Sequence, residues 1–286
     1  MRENISASCF VDTPSFTYNR YLFDFEKNHD YWQVYYWFVD NWSLSCYIVG
    51  VYFLAIIIGQ HLMKGRQPFQ LKKQLLVWNI ALALISFLVL IRCGPVYYDR
   101  IIEYGFYGSM CYAGAAEHKQ AMAFWAYVFT LAKVLELGDT ALIVLMKKPL
   151  HLVHWFHHAS VLLFTWYSFA HMSITQLSFM LANVLVHVCM YSYLALKAMK
   201  APMPKAAAMA ITILELIQLV FSIFINIAGY LMKLGNDECC IFDQSIVVFA
   251  FLYLSYLLLF TNFFIKSYVS KKPLLEIMGV RKEKTD

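Results

Sequence analysis

Long apolar stretches recur along the whole chain, and polar residues are concentrated between them. A helix needs roughly 20 apolar residues to cross the hydrocarbon core of a bilayer. The stretches are too long and too continuous for the strands of a membrane barrel, so the pattern predicts an all-α integral membrane protein. The predicted membrane spans are seven, at about 43–63, 75–92, 121–146, 150–169, 174–198, 206–232 and 243–266.

The composition agrees with a lipid environment. Hydrophobic residues make up 61% of the chain and charged residues only 14%, whereas soluble domains carry roughly 25% charged residues. No cleavable signal peptide is visible in the polar and aromatic opening segment, so the first span is expected to direct targeting. The predicted organisation is a lumenal segment at 1–42, a seven-helix membrane domain at 43–268 and a cytosolic tail at 269–286.

The placement of Lys and Arg predicts the orientation, because basic residues favour cytosolic loops. The loops after the first, third and fifth spans and the C-terminal tail are rich in them, and the alternate loops are poorer. The N-terminus is then lumenal and the C-terminus cytosolic, which requires an odd number of spans. The basic residues of the cytosolic segments are Lys64, Arg66, Lys72, Lys73, Lys147, Lys148, Lys197, Lys200, Lys205, Lys271, Lys272, Arg281, Lys282 and Lys284.

Two short terminal motifs indicate the endoplasmic reticulum membrane. Asn4-Ile5-Ser6 is a glycosylation sequon on the predicted lumenal side, although such sequons are common by chance. Lys282 and Lys284 occupy the fifth and third positions from the end, which resembles a dilysine retrieval signal read from the cytosol.

The third span carries charged residues. Placing a charge inside a bilayer costs free energy, so such residues are candidates for a functional role. Lys133, Glu136 and Thr140 lie on one helix face, and Asp139 lies beside Glu136. An ion-pair cluster that only holds helices together would explain the same pattern.

The fourth span carries His154, His157 and His158 at offsets of zero, three and four. This spacing places the imidazoles within about 100° of arc on one helix face. A single histidine in a membrane helix is more often a packed core residue, but this grouping favours a functional site.

Two further spans add polar residues at a similar depth. The fifth span contributes Asn183, His187, Tyr191 and Tyr193, and the sixth contributes Thr212 and Gln218 on either side of Glu215. Ordinary packing and interhelical hydrogen bonding are the alternatives for the tyrosines and for the sixth span. All of these groups are expected roughly 6–18 Å below the cytosolic surface. Such a polar layer suits a substrate with a charged head and a long apolar tail.

These residues resemble the ELO family of very-long-chain fatty acid elongases. The matching patterns are K-x-x-E-x-x-D-T at 133–140, H-x-x-H-H at 154–158 and H-x-x-M-Y-x-Y at 187–193. The chain departs from the family pattern at Leu194, where a second Tyr is common, and at Glu215, where the family shows Gln. The run at 149–158 looks most like members that act on saturated, monounsaturated or branched chains.

The resemblance implies the condensing step of fatty acid elongation, in which acyl-CoA and malonyl-CoA give 3-oxoacyl-CoA, CO2 and CoA. It also implies that six of the seven helices form a barrel around the acyl tunnel. We expect membrane lipid, reductases and a dehydratase as partners, and neither a cofactor, a metal nor nucleic acid. A homo-oligomer remains open.

The residues support a two-stage mechanism through an acyl-imidazole. We assign His157 as the nucleophile and His154 and His158 as groups that orient it or move protons. His187 would polarise a carbonyl, with Asn183 fixing its tautomer. Supporting or substrate-binding roles are expected for Lys133, Glu136, Asp139, Thr140, Tyr191, Tyr193, Thr212 and Gln218.

The cysteines show neither a disulfide framework nor a metal motif. Cys111, Cys239 and Cys240 fall on the predicted lumenal side, where oxidising conditions allow a disulfide between Cys111 and either of the other two.

Two other classes of protein compete with this interpretation. A histidine-box desaturase or hydroxylase needs about eight imidazole ligands for two irons, and only four or five histidines lie in the polar layer. A single metal ion bound by His154, His158 and His187 is the alternative that stays open. A seven-helix receptor or transporter fits the topology, but the uninterrupted spans are atypical of a transporter.

Overall fold

The computed structural model describes residues 23–111, 116–171, 175–235, 239–241 and 243–270. Every regular element in these ranges is helical. In chain order the helices are α1 Asp24–Lys27, α2 Tyr31–Asp40, α3 Trp42–Met63, α4 Lys72–Cys111, α5 Ala116–Leu145, α6 Leu152–Ala170, α7 Gln176–Ala198, α8 Lys205–Gly235 and α9 Asp243–Phe264, which a π-helical turn at Ile265–Val269 continues.

Five helices in the described ranges are long and apolar enough to cross a membrane: α3, α4, α7, α8 and α9 with its π-helical turn. The protein is therefore a multi-pass membrane protein, and the all-α prediction is confirmed. The other two long helices, α5 and α6, coincide with the third and fourth predicted spans and carry the charged residues and the histidine motif. The count of seven crossings stays a prediction.

Helix α4 differs from the sequence prediction, which ended this span at residue 92 and treated 93–120 as a loop. The helix continues to Cys111 and contains Pro95. The apolar run stops near Pro95, but burial of Cys93 and Val96 against neighbouring helices extends the helix beyond it. Gly105 interrupts the regular geometry with φ 66° and ψ 178°, a conformation that glycine tolerates because it has no Cβ.

Helices α5 and α7 end in the same way, each with a lysine in the left-handed region. Lys147 has φ 53° and Lys200 has φ 62°. The amide of the following residue then reaches back five positions, from Lys148 to Ile143 and from Ala201 to Leu196. This is the Schellman closure, which satisfies carbonyls at a helix end.

The long helices pack in a closed order around the interior. Helix α4 packs against α5 and α7, α8 packs against α7 and α9, and α6 packs against α9 and α5. Helix α3 lies outside this ring, against α5 and α6.

At one end of the helices, α1 is anchored by Glu26, which is fully buried. Its carboxylate accepts hydrogen bonds from Arg92 and Trp125. Burial opposes the charged form, but these hydrogen bonds outweigh it and hold the pKa of Glu26 below its usual value. A buried carboxylate between two donors ties α1 to both α4 and α5.

A disulfide bond links two segments at the same end of the helical assembly. Of the two pairings left open by the sequence, the structure has Cys111 with Cys239. The backbone amide of Cys240 also donates to the carbonyl oxygen of Cys111, at 3.0 Å. Asn4 and the lysine pair at 282 and 284 lie outside the described residues.

Candidate active site

A buried ion pair on α5 forms the centre of the polar layer. The Nζ atom of Lys133 donates to Glu136 Oε1 and to Asn183 Oδ1, each at 2.8 Å. The exposed fractions of Lys133 and Glu136 are only 1% and 2%. A buried charge is tolerated only when it is paired and hydrogen-bonded, so the bond from Lys133 to Asn183 fixes α5 against α7.

The contacts of Asn183 determine the tautomer of His187. Lysine can only donate, so the amide atom that faces Lys133 is the oxygen, and the amide nitrogen faces His187 Nε2 at 3.2 Å. Since that nitrogen donates, Nε2 must present a lone pair and the ring proton lies on Nδ1. The Nδ1 atom in turn lies 3.4 Å from Glu136 Oε1.

The carboxylate of Glu136 therefore lies between two histidines. Its Oε2 atom is 3.9 Å from His158 Nδ1, whereas the oxygen near His187 is Oε1. Glu136 Oε2, His158 Nδ1 and His187 Nδ1 are all buried without a hydrogen-bond partner among the described residues. These three atoms lie close enough for a proton to pass between the carboxylate and either ring after a small movement.

Asp139 is held by two donors from other helices. Trp78 Nε1 donates to Oδ1 at 2.7 Å, and the Tyr191 hydroxyl donates to Oδ2 at 2.8 Å. The Oδ2 atom also lies 4.0 Å from His158 Nε2. His158 is thus placed between two carboxylates, those of Glu136 and Asp139.

A hydrogen-bond chain connects α3 to the histidine motif. The Tyr52 hydroxyl lies 2.8 Å from Thr140 Oγ1, which lies 3.0 Å from His154 Nε2. The rings of His154 and His158 then contact each other, with centroids 4.5 Å apart. Thr140 therefore orients the first histidine of the motif.

The remaining histidine of the motif, His157, lines a narrow cavity of about 30 Å³ between the helices. Its ring lies 5.1 Å from that of Tyr256, whose hydroxyl is 2.9 Å from Ser160 Oγ. Asn183 and Gln218 also line this cavity, and most of its wall is apolar. His154 and His158 are not among the lining residues.

The structure brings most of the sequence-predicted residues together, with two exceptions. Thr212 makes contacts with the Ala208 carbonyl and the Tyr268 hydroxyl, away from the histidines. Tyr193 faces the lysine at 197, whose Nζ lies 5.8 Å from its ring centroid. Within the described residues, neither side chain contacts the cluster.

Three contributors were missed from the sequence: Tyr52, Trp78 and Tyr256. Trp78 lies in a span almost free of charge, and the two tyrosines are among twenty in the chain. No local pattern distinguishes them, because their partners lie on other helices.

No group of three or more His, Cys, Asp or Glu side chains in the described part of the chain has a metal-binding arrangement.

Comparison with known proteins decides the family. The GNS1/SUR4 (ELO) family matches residues 37–274. The chain belongs to this family. The resemblance drawn from the three motifs is therefore confirmed.

Named relatives are similar over most of their length. Very long chain fatty acid elongase 6 of Drosophila melanogaster is 37% identical over 260 residues, which cover 90% of this chain and 81% of the relative. The Rattus norvegicus protein of the same name is 37% identical over 254 residues, or 87% and 93% of the two chains. Very long chain fatty acid elongase 3 of Homo sapiens is 33% identical, with coverage of 82% and 86%.

Proposed function

We propose that this protein is the condensing enzyme of fatty acid elongation, joining a long-chain acyl-CoA to malonyl-CoA with release of CO2 and CoA. The family and the relatives named as elongases support the reaction class. The observation that carries the mechanism is the position of His157. Of the motif histidines, it is the one that lines the apolar cavity, next to the buried Lys133–Glu136–Asn183 cluster.

The same proposal includes seven membrane crossings, with six helices forming a barrel around the acyl chain. The closed packing order of α4, α7, α8, α9, α6 and α5 supports it, as does the position of the cavity inside that ring. Apolar walls formed by Phe164, Phe179 and Tyr253 suit a hydrocarbon chain.

In the first stage, an unprotonated ring nitrogen of His157 attacks the thioester carbonyl of acyl-CoA. The C–S bond breaks, the CoA thiolate takes the proton that the imidazole loses, and an acyl-imidazole remains. Covalent catalysis of this kind replaces one difficult step by two easier ones, and imidazole is both a nucleophile and a leaving group.

In the second stage, malonyl-CoA loses CO2 and its C2 carbanion attacks the acyl carbon. The C–N bond breaks, the imidazole regains a proton and 3-oxoacyl-CoA forms, so one proton is consumed over the whole reaction. His187 can donate from Nδ1, and the Glu136 carboxylate beside it and His158 can pass the proton between them. Asp139, which Tyr191 holds by a hydrogen bond, lies 4.0 Å from His158 Nε2 and can orient this ring for the transfer.

We further propose the endoplasmic reticulum membrane, with a lumenal N-terminus and a cytosolic C-terminus. The predicted same-side loops do lie together: Lys147 Nζ donates to the carbonyl oxygens of Lys64 and Arg66. The Cys111–Cys239 disulfide joins two segments assigned to the opposite side. The basic residues of the cytosolic loops would attract the CoA phosphates. Four further points remain expectations: partnership with the reductases and the dehydratase of the cycle, a homo-oligomer, catalysis without a cofactor or metal, and glycosylation at Asn4.

The test is intact-mass measurement of the purified protein incubated with palmitoyl-CoA in the absence of malonyl-CoA. We expect an acyl adduct on the wild type and on His151→Ala, which alters an exposed histidine just before α6, and none on His157→Ala. Addition of malonyl-CoA should discharge the adduct as 3-oxoacyl-CoA. Condensation that proceeds without any adduct would mean direct attack on bound acyl-CoA and would remove His157 from the nucleophile role.

A further inference from the structure

The cavity that His157 lines does not end in apolar side chains alone. Thr165 lies eight residues after His157 on α6, roughly 12 Å further along the helix. Gln176 begins α7, which returns towards Asn183, and it lines the same cavity. The short connection between α6 and α7 places both polar residues at the end remote from His157.

The amide of Gln176 is buried without a partner. Its exposed fraction is 8%, and its Nε2 atom has no hydrogen-bond partner among the described residues. An amide in an apolar setting without a hydrogen bond costs free energy, which a ligand oxygen placed against it would recover. An orphaned donor in a cavity with mostly apolar walls is unfavourable for a methyl terminus.

Thr165 supplies the complementary half of the site. It is 2% exposed, and its hydroxyl proton is donated to the Leu162 carbonyl oxygen at 3.2 Å. The Oγ1 lone pairs are therefore left to accept. One donor at Gln176 and one acceptor at Thr165 match a hydroxyl group, which both accepts and donates.

We propose that this end of the cavity is a binding subsite for an oxygen on the terminal carbon of the acyl chain, so that the protein elongates ω-hydroxyacyl-CoA substrates. The inference rests on the proposed function, because it takes the acyl chain to enter this cavity, which must widen from about 30 Å³ to hold it. It adds a substrate class: chains that carry a hydroxyl group at the end opposite the thioester.

The experiment compares kcat/KM for methyl-terminated and ω-hydroxylated acyl-CoA pairs of the dodecanoyl, myristoyl and palmitoyl lengths. The quantity compared is the ratio of kcat/KM for the ω-hydroxylated acyl-CoA to kcat/KM for the methyl-terminated one, called the hydroxyl-to-methyl ratio. For the acyl chain long enough to reach Gln176, we expect this ratio to fall about tenfold in Gln176→Leu. A change of this size is expected for the loss of one hydrogen bond in an apolar site. Thr165→Val should lower the same ratio. Ser168→Ala is the matched control, because Ser168 is also buried and unpartnered on α6 but does not line the cavity.

The outcomes separate the two proposals. If palmitoyl-CoA is elongated and the ratio is the same in the wild type and Gln176→Leu at every length, the subsite is overturned while the condensing function stands. If no acyl-CoA yields 3-oxoacyl-CoA, both proposals fall. If Gln176→Leu loses all elongation activity, the hydroxyl-to-methyl ratio of Thr165→Val tests the subsite instead. A ratio lower than that of the wild type supports the subsite, and an unchanged ratio overturns it.

Discussion

The indole of Trp78 lies directly against Gly138, and a Cβ atom at position 138 would lie 2.5 Å from its Cζ2 atom. The same indole donates from Nε1 to Asp139 Oδ1. Because Gly138 has no side chain, α4 can approach α5 closely enough for Trp78 to bind Asp139.

Substitution of Gly138 by Ala should displace Trp78 and break its hydrogen bond to Asp139. We expect elongation activity to fall at least tenfold, in line with the effect of small displacements in a preorganised site, and the protein to lose thermal stability. Gly50→Ala on α3 is the control, because a Cβ there would meet nothing within 4 Å. Equal activity of the two variants would show that the approach of Trp78 is unimportant.

Asn183→Asp tests the tautomer of His187. The oxygen that accepts from Lys133 is kept, but the donor that faces His187 Nε2 becomes an acceptor. A carboxylate there favours a proton on Nε2, so the neutral His187 ring no longer carries on Nδ1 the proton that the proposed mechanism uses.

We expect kcat of Asn183→Asp to fall by roughly 100-fold at neutral and alkaline pH, the scale of general acid–base catalysis, and to recover in part as the pH falls and the ring carries a proton on both nitrogens. A loss of kcat that is equal at every pH would indicate a purely structural role for Asn183.

Tyr52→Phe tests the chain from Tyr52 through Thr140 to His154. Loss of the hydroxyl removes one hydrogen bond from Thr140 and leaves His154 less well oriented. We expect a decrease in kcat of about threefold to tenfold with little change in KM, as for a net hydrogen bond of about 1 kcal/mol. Tyr47→Phe, an exposed tyrosine one and a half turns away on the same helix, should behave as the wild type.

Cys111→Ser should lower the thermal midpoint of the purified protein, because the disulfide to Cys239 spans 128 residues. Cross-links across long loops typically contribute about 2–4 kcal/mol. Cys46→Ser, which alters an exposed free cysteine, is the control. A reductant should destabilise the wild type and Cys46→Ser but have a smaller effect on Cys111→Ser; an equal effect on all three would argue against this bond.

The two lysine caps should respond to replacement by glycine to different extents. Lys200→Gly should stabilise the protein by about 1 kcal/mol, because glycine adopts the left-handed conformation without a Cβ penalty. Lys147→Gly relieves the same strain but loses the Nζ hydrogen bonds to residues 64 and 66, so its gain should be smaller or absent. Thermal unfolding in detergent measures the difference; a larger gain for Lys147→Gly would contradict it.

The sequence was most informative where a property is local. Apolar runs and helical periodicity predicted the long helices and placed His154, His157 and His158 on one face. It was least informative at α4, where tertiary burial continues the helix beyond the apolar run, and at Tyr193 and Thr212, whose depth matched the site but whose contacts lie elsewhere.

By itself, the sequence determined the all-α membrane class, the family and most of the polar residues of the site, because hydropathy and the 3.6-residue period act over neighbouring positions. Only the tertiary structure decided that His157 lines the cavity while His158 lies between two carboxylates. It also brings Tyr52 into contact with Thr140 and Trp78 into contact with Asp139, and it pairs Cys111 with Cys239. These last three pairs join residues 61 to 128 positions apart, so the mutual packing of the helices determines them.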